Sequence, residues 1–271
     1  MLWLKELFGT EKPIIAMLHL DALPGDPDFC GSTGLEQVVQ NARRDLLALQ
    51  EGGVDGILFS NEGSLPYEVS VSYVTPSAMA YVIGRLRKDI RLPFGVDCLA
   101  DAAATLDLAK ATGASFAREI FSGCYVDDGG FYTLDQSALL RRKADLGLDS
   151  LKLFHFLNPE AGTNLDSRPL PAIANSLLFK TGMDALCISA DAAGGDVTME
   201  TMAAVKAAVG NRAAVICNTG CRKDTILSKL QVADAAIVGT TFKKDGDFHQ
   251  HVDPARVAEF MDIVRGFRSA L

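Results

Sequence analysis

Residues 213–243 constrain the fold of this chain more than any other stretch. They read Ala-Ala-Val-Ile-Cys-Asn-Thr-Gly-Cys, then a short charged segment of helical character, then Ala-Ala-Ile-Val-Gly-Thr-Thr-Phe-Lys. Two short apolar runs, each followed at once by a turn bearing Gly and Thr, fit two parallel strands buried on both faces and joined by a helix. Both turns then lie at strand C-terminal ends. In a closed barrel of eight strand–helix units the last two such turns commonly cradle phosphate, because backbone N–H groups there point at an anion and a following helix adds partial positive charge. Asn218, Thr219, Gly220, Gly239, Thr240 and Lys243 are therefore the candidate phosphate-binding residues.

The rest of the chain supplies six more units. Apolar runs at residues 14–18, 56–60, 93–96, 115–118, 150–154 and 185–189 are spaced like strands. Between the first two, Leu35, Val38, Val39, Ala42, Leu46 and Leu49 keep helical spacing, and Gly52-Gly53 supplies the stop. Asp101 is placed to cap a helix that closes at Gly113, and Asp253-Pro254 opens the last one. Residues 21–34, 63–75, 121–133 and 158–169 read as long loops at one end of the barrel, where such loops more often cover a site than fill space. The expected fold is α/β: a single (β/α)8 barrel over residues 1–271, with a short N-terminal helix closing its floor. A length of 271 residues with 48% hydrophobic content suits such a barrel.

A net charge of −8 argues against a nucleic-acid partner, whose phosphates would need a basic face. No uncharged apolar run approaches the ~18 residues of a membrane span. The N-terminal octapeptide carries Lys5 and Glu6 and does not read as a signal peptide. Cys30, Cys98, Cys124, Cys187, Cys217 and Cys221 show no CxxC spacing and read as reduced, mostly buried thiols, so the expected location is cytoplasmic. Trp3, Leu4, Leu7 and Phe8 offer an apolar contact within or between chains, and a homo-oligomer is the expectation.

Five strands in succession end in titratable groups: His19, Glu62, Asp97, Glu119 and His155. Strand C-termini face the barrel mouth, so these five are expected to share one pocket as candidate catalytic residues. Carboxylates crowded together raise one another's pKa and suit general acid/base work, with the histidines orienting substrate or moving protons. The same residue types could instead bind a divalent metal, although no HxH or HExxH spacing is present. The cofactor is otherwise left open by the sequence. Arg118 is a candidate ion-pair partner for Asp97 or Glu119. Lys152 offers a Schiff-base alternative if it faces inward, but then His155 on the same strand faces outward. Asp191 and Asp196 flank Gly194-Gly195, where the backbone can approach a ligand closely. His249 and His251 read as surface groups.

The run Met-Leu-His-Leu-Asp-Ala-Leu-Pro-Gly at residues 17–25 closely resembles the opening motif of the BtpA/SgcQ family. Weaker similarity runs through Gly52-Gly-Val-Asp-Gly56, Asn61, Pro93, Gly95, Arg118, His155, Gly239-Thr240 and Lys243. The chain departs from the family's pattern at Leu65, at Phe154 and in the Cys-Asn-Thr-Gly turn. The resemblance implies a TIM-barrel fold and a link either to photosystem I accumulation or to sugar-phosphotransferase gene clusters. Together with the residues, the expected function is acid/base catalysis on a small phosphorylated sugar or related metabolite: lyase, isomerase, epimerase or glycosyl-bond cleavage. The alternative is a non-catalytic assembly or stability factor of the BtpA type, which needs no convergent acid/base set.

Overall fold

Along the first strand, β1 (Ile14–His19), Ile14, Ala16 and Leu18 pack in one apolar cluster while Ile15 and Met17 pack in another. Both faces of this strand are buried, so it must lie between two apolar layers. Closure of the sheet on itself supplies the inner layer and surrounding helices the outer one.

The structure is a computed structural model, and it describes residues 1–160, 162–190 and 195–271. The strands after β1 are β2 (Gly56–Ser60), β3 (Phe94–Asp97), β4 (Phe116–Glu119), β5 (Gly123–Asp127), β6 (Gly130–Leu134), β7 (Lys152–Asn158), β8 (Thr163–Asn164), β9 (Ala185–Ile188), β10 (Ala214–Cys217) and β11 (Ala235–Val238). Eight of them close into a barrel in the order β1-β11-β10-β9-β7-β4-β3-β2, and each neighbouring pair is parallel. The eight-stranded α/β barrel expected from the apolar runs is therefore the fold.

Helices α1 (Leu2–Phe8), α2 (Gly34–Gly52), α3 (Val74–Leu86), α4 (Ala102–Thr112), α5 (Gln136–Asp145), α6 (Leu170–Thr181), α7 (Met199–Val209), α8 (Ile226–Val232) and α9 (Pro254–Arg268) account for the intervening segments. Their ends follow local chemistry. Asp101 accepts from the Ala103 and Ala104 N–H groups to start α4, and Gly113 in the left-handed region ends it. Asp253 caps α9 with Pro254 at its first position. No helix among the described residues is long and apolar enough to cross a membrane.

The floor is closed by α1, as its amphipathic sequence suggested. Phe8 meets the Phe116 ring edge-on at 5.6 Å, and Trp3 lies 5.9 Å from Phe154. Phe116 and Phe154, on the adjacent strands β4 and β7, stack at 4.8 Å. Gly95 makes room for this layer: a Cβ there would come within 2.3 Å of the Phe116 ring. Trp3, Leu4 and Phe8 thus find their contacts within the chain.

One expected loop is something else. Residues 121–133 contain the antiparallel hairpin β5–β6, and β8 adds to the free edge of β5. The Gly and Asp content that suggested a loop belongs to the turn, Asp-Asp-Gly-Gly at 127–130. The flanking Cys-Tyr-Val and Phe-Tyr-Thr runs supply the β-prone residues. This small sheet stands over one side of the barrel mouth.

At the opposite end three aspartates repeat one arrangement. Asp55, just before β2, accepts the Ile14 N–H at 2.7 Å and pairs with Arg268. Asp184, before β9, accepts the Leu153 N–H at 3.0 Å and pairs with Lys152 at 2.8 Å. Asp234, before β11, accepts the Val215 N–H at 2.9 Å and pairs with Lys206 at 2.6 Å. Each satisfies the N–H of the first or second residue of the neighbouring strand.

Candidate active site

A cavity of about 830 Å³ opens at the C-terminal end of the barrel. At its centre is Arg118, a β4 residue that alternation turns into the lumen and that is 3% exposed. Its Nε donates to Asp97 Oδ2 at 2.6 Å, Nη1 to Asn218 Oδ1 at 3.1 Å and Nη2 to Glu62 Oε1 at 3.4 Å, while the guanidinium lies 4.7 Å over the Phe156 ring. Burial opposes its charge, but Asp97 and Glu62 more than offset that cost. Arg118 therefore ties β2, β3, β4 and β10 together, and its pairing with Asp97 is one of the two ion pairs weighed from sequence.

Three of the five strand-end residues, His19, Glu62 and Glu119, line this cavity. Asp97 is fully buried behind Arg118. Glu62 is ionised: burial would raise it, but the Arg118 guanidinium and the donors Tyr67 and Ser60 hold it below the ordinary carboxylate range. Asp97 Oδ1 and Glu119 Oε2 are covered by protein and have no conventional donor among the described residues. Burial, then the charge of Asp97, drives Glu119 well above its usual range, and burial also lifts Asp97 to about 6, so Glu119 is the more readily protonated of the two. Strand alternation alone would turn Glu119 toward the helices. As the last residue of β4 it folds back instead, with Oε1 accepting the Ile120 N–H at 2.9 Å.

His19 is neutral, because burial drives its pKa down to about 4. Its ring lies 5.3 Å from Phe248, and neither nitrogen has a partner among the described residues. Gly239 is small because of this ring: a Cβ there would sit 3.0 Å from His19 Nε2.

His155 does not join the group. On β7, Phe154 and Phe156 face the lumen, so His155 faces the helix layer, where it borders a separate cavity and accepts the Phe121 N–H at 3.0 Å. Its place among the converging residues is corrected. Lys152 lies at the barrel floor against Asp184 and 5.4 Å over the Trp3 ring, far down the strand from any mouth chemistry.

Of the candidate phosphate residues, Asn218, Thr219, Gly220, Gly239 and Thr240 line the large cavity. Lys243 does not. It follows the 3-10 turn Thr240–Phe242, which directs its side chain beneath Phe248, and its ammonium donates to the Phe248 carbonyl and sits 4.9 Å over that ring. The two turns are linked by the Thr241 hydroxyl, which donates to the Cys221 carbonyl at 2.8 Å. Asp196 works from outside the site, pairing with Arg222 and, at 2.9 Å, with buried Lys229. Asp191 and Gly194 lie outside the described residues.

Residues that the sequence reading left out also line the cavity. Tyr67 donates to Glu62 at 2.9 Å from the loop after β2. Glu160 lies within 3.4 Å of the Asn218 amide, and burial raises it to about 7. Tyr125 and Tyr132, directly opposed on β5 and β6, form the wall under the small sheet. The alternating aromatics of 124–133 were the available signal for the tyrosines. Glu160 stands two residues past the last strand residue of β7, where polar strand-end positions could have drawn notice. Among the described residues, no group of three or more His, Cys, Asp or Glu side chains is arranged to hold a metal ion. All six cysteines are free thiols.

The BtpA family model matches residues 10–266. The chain belongs to the BtpA family. It is 45% identical to SgcQ, an sgc region protein of Escherichia coli, over 99% of this chain and 100% of that one. It is 30% identical to the photosystem I biogenesis protein BtpA of Synechocystis, over 97% of this chain and 92% of that one. Among solved structures, dihydropteroate synthase from Xanthomonas albilineans superposes with a TM-score of 0.60 at 15% identity, covering 95% of this chain and 92% of that one. A likeness at that identity speaks for the barrel fold.

Proposed function

We propose that this BtpA-family barrel is an enzyme that moves protons on a small phosphorylated, sugar-like metabolite held in the 830 Å³ cavity. The observation that carries the reading is the arrangement around Arg118: Glu62, paired with it and held ionised, on one side, and on the other buried Asp97 and Glu119, whose Oδ1 and Oε2 have no donor among the described residues and of which burial and the charge of Asp97 keep Glu119 protonated. A base ready to accept a proton and an acid ready to give one are what isomerase, epimerase, lyase or glycosyl-cleaving chemistry requires. Glu160, poised near 7, supplies a third group able to act in either direction. The cavity volume falls within the range typical of small-molecule sites.

The turns after β10 and β11 suit the phosphate. Lys229 Nζ donates to the Thr219 and Gly220 carbonyls at 3.3 and 2.5 Å. Because C=O and N–H point opposite ways across a trans peptide, the N–H groups of Gly220 and Cys221 are directed away from Lys229, a residue outside the cavity lining. Among the described residues no acceptor engages the N–H groups of Thr219, Gly220, Cys221, Thr240 or Thr241. An anion held this way rests on backbone amides more than on cationic side chains.

A thermal-shift screen with phosphorylated sugars tests the reading. At about 100-fold above Kd a ligand adds roughly 2.7 kcal/mol and several degrees of Tm. Gly239→Asp should abolish that shift by placing a carboxylate at the anion site, while Gly239→Ala, which only crowds His19, should retain most of it. Unchanged affinity in Gly239→Asp overturns the phosphate site. The identity to a photosystem biogenesis protein favours an assembly role as the second reading. That role would leave Glu119→Gln fully functional in complementation, whereas the catalytic reading requires loss.

A further inference from the structure

The two nitrogens of His155 differ. Nδ1 accepts the Phe121 N–H at 3.0 Å, and the imidazole is neutral because burial disfavours its charge, so its one hydrogen is on Nε2. His155 is 1% exposed, and no acceptor among the described residues takes that hydrogen. The ring borders a second cavity of about 160 Å³, behind the β5 wall of the larger one. That is room for about five waters at ~30 Å³ each, or for one small polyatomic ion.

The groups around this space are mostly donors. Gln136 Nε2 is covered by protein and unpartnered. Ser122 and Ser176 bring hydroxyls, and Lys180 brings an ammonium at the exposed rim. The one carboxylate, Asp166, is already engaged by Arg168 through Nε at 2.9 and 3.0 Å and by the Arg168 N–H at 3.1 Å. A cation would find no free acceptor of full charge here.

We propose that this cavity is a second ligand site, for a small oxyanion: an inorganic oxyanion or the carboxylate of a small metabolite. His155 Nε2–H and the Gln136 amide are its deep donors, and Lys180 guards its rim. Tyr125 lines both cavities, so an occupant would brace β5 against β7 and α6 and fix one wall of the larger site. The proposal does not rest on the catalytic reading above.

Calorimetric titration of the full chain carrying Gly239→Asp, which silences the turn site, tests it with inorganic phosphate in one arm and acetate in the other. One anion per chain should bind; phosphate binding alone identifies the inorganic class, and acetate binding the carboxylate. Adding Gln136→Leu should weaken binding about 10-fold or more, the value of a hydrogen bond to a charged group, and Lys180→Ala should weaken it less. Lys180 is exposed, so that variant reports even if Gln136→Leu folds poorly. Failure of both anions to bind, or affinity that neither substitution changes, overturns the site. Phosphorylated-sugar binding that Gly239→Asp leaves unchanged, with this site intact, would sink only the reading of the previous subsection.

Discussion

The two ends of the barrel treat buried carboxylates in opposite ways. At the floor, Asp55, Asp184 and Asp234 each have one cation and one strand N–H, so their charge is satisfied. At the mouth, one cation, Arg118, serves Asp97 and Glu62 together, and Asp97 Oδ1 and Glu119 Oε2 have no donor among the described residues. The floor repeats a stabilising device three times. The mouth concentrates unsatisfied charge in one place, which costs stability and creates groups able to exchange protons. The difference teaches where to look for function: not at buried acids as such, but at buried acids whose partners have been withheld.

The largest test of this contrast is Arg118→Met. It strands Asp97 and Glu62 without a cation, and urea unfolding should show a loss of about 3–5 kcal/mol. Replacing Asp97 with Leu in the same chain should recover much of that loss, because an apolar pair is cheaper to bury than a lone charge. A loss below ~1 kcal/mol in the single variant would show that the mouth is no more strained than the floor.

The buried carboxyls of Asp97 and Glu119 give the next effect. Burial raises Asp97 from 3.8 to about 6, so the folded chain keeps a proton that the unfolded chain has already released. Stability from this group is full below pH 3.8 and is lost as pH rises through 6, by up to ~3 kcal/mol. Glu119, raised further, extends the loss upward. In Glu119→Gln the amide can donate to ionised Asp97, so the variant should gain on the wild type steadily between pH 4 and 8. Asp45 and Glu160, also raised by burial, titrate in both proteins and cancel in the difference. Parallel stability curves for the two proteins would mean that Glu119 keeps no proton in the folded chain.

The floor supplies the smallest effect. Asp55→Ala removes the acceptor for Ile14 N–H and the partner of Arg268, and should cost about 1–2 kcal/mol by the same unfolding assay. It should leave anion binding at the mouth unchanged. A change in ligand affinity from this position would show that the two ends are coupled.

Much of this was legible before any coordinates. Short apolar runs such as Ala-Val-Ile-Cys and Ala-Ala-Ile-Val allow little but buried parallel strands, and Gly113 or Asp101 marks a helix end by its own backbone chemistry. The polar ends of β1, β2 and β3 could be read as mouth residues because strand direction is shared around a barrel. The hairpin at 123–134 was hidden by its own turn, whose Gly and Asp residues outweighed the aromatics beside it.

Local periodicity determined the strands, the helices and the closed order that follows from them, because burying apolar faces leaves few alternatives. It did not determine which end groups meet. Alternation is enforced only where a strand is paired on both sides, so at the rim Glu119 could fold back onto Asp97 while His155, inside β7 and held by its neighbours, had to face the helices. Likewise Arg118 and Asn218 are a hundred residues apart and join only because the sheet closes. Which carboxylate keeps a cation, and which must keep a proton, was decided by the tertiary structure alone, since burial and partner geometry set the protonation of each group.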